Sequence, residues 1–155
     1  MENKLDYHIW ATNKLLSYLR SLPEEIFHKG LQSVFPSVER TLYHLYEVDA
    51  LWFSRLKQQE ILVEVDTFSS VSECLTYFQT LHTEMANWKY RDNTISYKTS
   101  IGDACQNTTE EILYHIVNHG TYHRGNITAM LWQLGEKGMS TDYIYYLREK
   151  DTVKE

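Results

Sequence analysis

The sequence predicts an all-α fold: a four-helix bundle with a small hairpin or loop insertion before the last long helix and a short C-terminal helix. Three observations carry this. Apolar residues recur at helical spacing through four segments of the 155-residue chain. Only two prolines occur, Pro23 and Pro36, and both fall between such segments. Helix-start signals stand where later segments begin. The length suits a single domain, residues 1–155, with enough chain to bury a real core.

The first helix is predicted over Leu5 to Leu22, where Leu5, Ile9, Leu15, Leu16, Leu19 and Leu22 make a broad apolar side. Tyr7, Trp10 and Tyr18 add bulk, and Pro23 should stop it. His8 here, and His28 in the loop that follows, read as surface or packing residues. The second helix should begin at Ser37, with Glu39 in its first turn. Val38, Leu42, Leu45, Trp52 and Leu56 form its main stripe. Val48 and Leu51 widen that stripe on one flank, and His44 lies on the same flank. Asp49 falls on the apolar arc, an odd place for a carboxylate. It is expected to orient a histidine or a backbone group, or to reach a tyrosine. Glu47 reads as a solvated helix charge, with support of a ligand from behind as the alternative.

Residues 58–69 are a connection with apolar content at Ile61, Leu62, Val63 and Val65. Ser70-Val71-Ser72-Glu73 has the pattern of a capping box and opens the third helix. Val71, Leu75, Phe78, Leu81, Met85 and Trp88 line its inner face, and His82 beside them reads as structural. The helical pattern then breaks. Ile95, Tyr97 and Thr99 alternate with Ser96 and Lys98, so a short strand or hairpin is expected, turning near Gly102-Asp103. Thr108-Thr109-Glu110-Glu111 is a second capping box, Gly135 marks a helix end, and Thr141 to Lys150 makes a short tyrosine-rich terminal helix.

Composition removes several classes of function. The net charge is −6 with no basic run, which argues against a nucleic-acid partner. No stretch approaches ~18 uninterrupted apolar residues, so no membrane span is expected. The N-terminal MENKLDYHIW lacks the apolar core of a secretory signal. Cys74 and Cys105 form neither a CxxC nor a disulfide framework, which fits a reducing, cytoplasmic setting.

The chemistry concentrates in Glu110 to Gly135. Ile112, Ile116, His119, His123, Ile127, Met130 and Leu134 fall within an arc of about 80° on a helix. Two imidazoles thus occupy positions where the pattern asks for apolar side chains, at a cost of a few kcal/mol unless something compensates. Either they hydrogen-bond to other buried groups or they share a metal ion. Histidines four apart lie about 6 Å along the axis, so their rings can converge on one ion. His115 is four before His119, but it is about 12 Å from His123 and lies at the edge of the arc. The pair His119 and His123 is therefore assigned as ligands. His115 is assigned to packing, or to supporting a ligand from behind. A third ligand must come from another helix, and His44 is the best placed. Three imidazoles without a thiolate suit zinc, nickel, cobalt, copper or iron, and not calcium or magnesium. Three protein ligands leave a coordination position open, as in catalytic zinc sites.

HIVNHGTYHRGNI, preceded far upstream by HLYEVDALW, resembles the DinB/YfiT-like family of bacterial metal-binding four-helix bundles. YHIWATNKLL is similar to that family's aromatic first helix and DYIYYLRE to its tail, so the resemblance spans nearly the whole chain. Asn126 stands where a glutamine is common. The resemblance implies an up-down-down-up bundle, a homodimer, and a metal triad of His44, His119 and His123, with zinc or nickel as the leading metals. It further implies a metal-dependent S-transferase acting in stress or detoxification with a low-molecular-weight thiol such as bacillithiol and a small-molecule substrate. Tyr46, Glu47 and Arg124 are candidate helpers. Arg124 points about 100° away from His123, so a helix cap or a dimer salt bridge is its expected role. The alternatives are a metal- or small-ligand-binding stress protein without catalysis, and a metal-dependent hydrolase. The hydrolase reading is weakened because HGTYH lacks the glutamate of HExxH.

Overall fold

The computed structural model describes residues 3–60 and 63–152, so Ile61 and Leu62 of the predicted connection lie outside the described residues. The chain is mostly helical. Its elements are α1 (Asn3–Arg20), α2 (Glu25–His28), α3 (Val38–Lys57), α4 (Val71–Asn87), β1 (Thr94–Lys98), β2 (Ala104–Thr108), α5 (Thr109–Gln133) and α6 (Tyr143–Thr152). The four long helices pack in a ring: α1 and α3 each lie against both α4 and α5. No described helix is long and apolar enough to cross a membrane.

The helix starts are set by local chemistry. Ser37 caps α3 by accepting from the Arg40 amide, and Ser70 caps α4 by accepting from the Glu73 amide. At Ser70 the box is only half formed, because the Glu73 carboxylate accepts from the Ser69 amide and hydroxyl instead. At Thr108 both halves are present: the Glu111 amide donates to the threonine hydroxyl, and the Thr108 amide donates to the Glu111 carboxylate. α5 closes in a Schellman motif. Glu136 N donates to Leu131 O and Gly135 N to Trp132 O, with Gly135 at φ +86°, a conformation that favours glycine.

Buried side chains from all four long helices share one core, among them Leu15 and Leu16, Leu42 and Leu45, Phe78 and Met85, and Ile112 and Ile116. Phe53, absent from the predicted stripe of α3, is in this core, while Trp52 is half-buried and faces the hairpin. The short α2 was not expected. It buries Ile26 and Phe27, and the Glu24 carboxylate before it accepts from the Val71 amide at the start of α4. The predicted hairpin forms, antiparallel with Tyr97 opposite Cys105, and it turns through Gly102 at φ +94°. Cys74 and Cys105 are free thiols. Cys74 is buried, which pushes its thiol pKa up and keeps it inert.

Candidate metal centre

α3 and α5 lie side by side, and their contact brings His44 against His119 and His123. The His119 and His123 rings, one turn apart on α5, have centroids 4.4 Å apart. His44 lies 5.2 Å from the first and 4.8 Å from the second. One ring nitrogen from each of the three lies within 4.8 Å of the others. His44 Nε2 and His119 Nε2 are 3.3 Å apart. Two nitrogens bound to one zinc at about 2.05 Å in a tetrahedron would be separated by about 3.3 Å, so this spacing matches the edge of such a site.

The protonation states match as well. Burial lowers the pKa of all three imidazoles. His119 is pushed to about 3, with the neighbouring His123, His44 and His115 adding repulsion. His123 is pushed to about 4, first by burial and then by His44. His44 is lowered by burial, and Glu47 and Asp49 partly offset this. Near neutral pH the group therefore holds neutral rings with lone pairs to give, the form a metal ion requires. His123 Nδ1 is sealed from solvent with no hydrogen-bond partner among the described residues. The donor set fits a borderline divalent transition metal.

Aromatic side chains surround the three histidines. Phe35, in the loop before α3, stacks on His44 at 4.7 Å and lies 5.8 Å from His123. Tyr122, exposed, sets its ring edge-on to His123 at 4.9 Å. His115 lies 5.6 Å from His119 and is held against Trp52 at 4.8 Å, the packing role expected of it. A shallow depression lined by His115, Asn118, His119, Thr121 and Tyr122 opens beside the triad. A separate cleft between α3 and α4, lined by Tyr46, Lys57, Tyr77 and Glu84 among others, contains none of the three histidines.

The candidate helpers are placed otherwise. Glu47 is exposed, as its solvated reading expected. Tyr46 is turned away from the histidines into an aromatic group with Phe68, Tyr77 and Phe78. Arg124 is not a helix cap or a surface ion pair. It is 2 % exposed and points into the bundle, where its Nη1 donates to Thr12 Oγ1 and its Nη2 to Thr121 Oγ1.

A second group within reach of one ion is His8, Asp49 and His82, all buried. The sequence did not assemble it; of the roles expected of Asp49 (orienting a histidine or a backbone group, or reaching a tyrosine) the first is the one seen, and that histidine is His8. His8 Nε2 lies 2.7 Å from Asp49 Oδ2, and His8 Nδ1 lies 3.4 Å from Arg124 Nη1. A guanidinium only donates, so Nδ1 accepts and the ring proton sits on Nε2, where it donates to the carboxylate. His8 thus has no free lone pair to offer a metal, and the Arg124 charge stands beside it. His82 pairs through Nδ1 with Asn13 Oδ1 at 3.0 Å, and burial pushes its pKa to about 3. Of this second group His8 has both ring nitrogens engaged, while His82 Nε2 and Asp49 Oδ1 have no hydrogen-bond partner among the described residues.

A sequence profile of the DinB family matches residues 1–153. Protein DinB of Bacillus subtilis (strain 168) is 34 % identical over a 168-residue alignment that covers 96 % of this chain and 94 % of the relative. The chain belongs to the DinB family.

Proposed function

We propose that this protein is an up-down-down-up four-helix bundle that holds one divalent transition metal, zinc or nickel foremost, on His44, His119 and His123. We further propose that it works there as a metal-dependent thiol S-transferase. The observation that carries the reading is the convergence of three neutral imidazoles beside a depression open to solvent. A bound metal would supply Lewis acidity that lowers the pKa of a thiol and holds its sulfur in the anionic form. The chain's own residues supply the surroundings. Phe35 and Tyr122 flank the rings with apolar surface, and His115 and Asn118 line the way in.

None of the three ligands is a carboxylate, and Glu47 is exposed. A base for activating water is therefore missing from the ligand group, which favours thiol transfer over hydrolysis. The non-catalytic alternative shares the same metal site and differs only in lacking turnover. We also read the protein as a cytoplasmic homodimer; light scattering tests the second copy.

Cobalt-substituted protein titrated with a bacillithiol-type thiol tests the assignment. A sulfur-to-cobalt charge-transfer band, followed by thiol-dependent consumption of an electrophile, supports transfer. Cobalt uptake with no spectral response to thiol overturns it in favour of the binding protein. Ester cleavage without thiol would favour the hydrolase.

A further inference from the structure

His8 lies between the two helices that carry the metal triad. On one side it donates to Asp49 of α3, five residues beyond His44; on the other it accepts from Arg124 of α5, the residue after His123. The network is closed to water: His8, Thr12 and Asp49 are fully buried and Arg124 nearly so. α5 makes room for the ring at Gly120, the residue after His119. A Cβ at that position would lie 2.5 Å from His8 Cε1 and Nδ1 and 2.7 Å from Arg124 Nη1. Such contacts require something to move, so this glycine is a notch in α5 into which the imidazole fits. Of the three residues that fix His8, Gly120 and Arg124 thus directly follow two of the proposed ligands, and Asp49 stands on the helix of the third.

We infer that His8 is a positioning residue for the metal site: seated in the Gly120 notch and joined to Asp49 and Arg124, it sets the spacing and rotation of α3 against α5 and so the separation of His44 from His119 and His123. This rests on the reading of those three histidines as a metal centre. A hydrogen-bonded ring works here because it has one donor and one acceptor in fixed directions, one for each helix. An apolar ring of the same size fills the volume but lets the helices slide.

The test compares His8→Phe and His8→Gln with the unmodified chain, using cobalt affinity by chelator competition and the visible cobalt spectrum. Circular dichroism checks that each metal-free variant is folded. His8→Phe is expected to weaken cobalt binding on the order of tenfold and to change the ligand-field bands. His8→Gln, which keeps one donor and one acceptor, should restore most of both. Should His8→Phe fail to fold, Gly120→Ala gives the same defect by expelling the ring, and adding His8→Asn to it relieves the defect by shortening the side chain. Folded His8→Phe, or Gly120→Ala in its place, with native affinity and spectrum overturns the positioning role alone. An unmodified chain that takes up no cobalt overturns the metal reading, and the positioning role with it.

Discussion

Among the described residues, the helical core holds two groups of three side chains, each compact enough to enclose one ion, and they differ in how their imidazoles are held. His44, His119 and His123 lie at the margin of the core, with neutral rings and the Nε2 atoms of His44 and His119 3.3 Å apart. His8, Asp49 and His82 are sealed; a carboxylate and a guanidinium take both nitrogens of His8, and an amide takes one nitrogen of His82. Convergence alone does not make a ligand set. The tautomer and the neighbouring charge decide whether a nitrogen faces a metal or a hydrogen-bond partner. The first group is suited to binding, and the second ties α1 to α3 and α5.

The contrast is broken most forcefully at Asp49. Asp49→Ala removes the only carboxylate of the second group and leaves Arg124 buried near an unanchored His8. A loss of about 3–5 kcal/mol is expected in denaturant unfolding of the metal-free protein. A loss below about 1 kcal/mol would show that the network carries no such weight. At the other group the expected damage is to uptake and not to folding. His119→Ala should weaken cobalt or zinc binding on the order of a hundredfold or more, read by chelator competition, while the thermal midpoint without metal holds or rises. Near-native affinity in that variant would remove His119 from the site.

Acid sharpens the same comparison. His119 and His123 are held at about 3 and about 4 in the folded chain, against about 6.5 for an ordinary histidine. Below about pH 6.5 the unfolded chain therefore takes up protons that the folded chain refuses. Stability from these rings is complete above about 6.5 and drains away as the pH falls toward their folded values. Melts of metal-free protein between about pH 7 and about pH 4 should show a falling midpoint, with a shallower slope in a His119→Ala/His123→Ala double variant. Equal slopes would mean that these two rings do not govern the acid limb. The smallest effect belongs to His82→Leu. His82 Nε2 is buried without a partner among the described residues, so exchanging the ring for an apolar side chain should shift stability by less than about 1 kcal/mol. Elemental analysis should still find one ion per chain; a loss of metal would reassign His82 to the binding group.

Much of this was legible in the sequence because it rests on short-range rules. Ser37, Ser70 and Thr108 announce their helices through chemistry three residues long. His119 and His123 announce each other at one helical turn, and His44 stood out because it flanks an apolar stripe that had to face the core. The His8 network was hidden for the opposite reason. Its partners are 41 and 116 residues away, and they meet only because α1 lies against α5. Two signals were present: a carboxylate on the apolar arc at Asp49, and a glycine inside a long helix at Gly120. Arg124 shows how a correct angle can still mislead. It does turn away from His123, but that direction leads into α1 and not to solvent. Phe35 escaped notice because a loop residue carries no periodicity to mark the face it covers.

The hairpin has a consequence for the motions of α5. Thr108 is both the final residue of β2 and the cap of α5, and Arg55 of α3 lies over both Trp52 and Tyr97 where the hairpin meets its neighbour. Fraying at that end would mean unzipping two strands, and the far end is stitched shut around Gly135. The amides around His119 and His123 should therefore be among the slowest in the chain to exchange with deuterium, opening only when the domain unfolds as a whole.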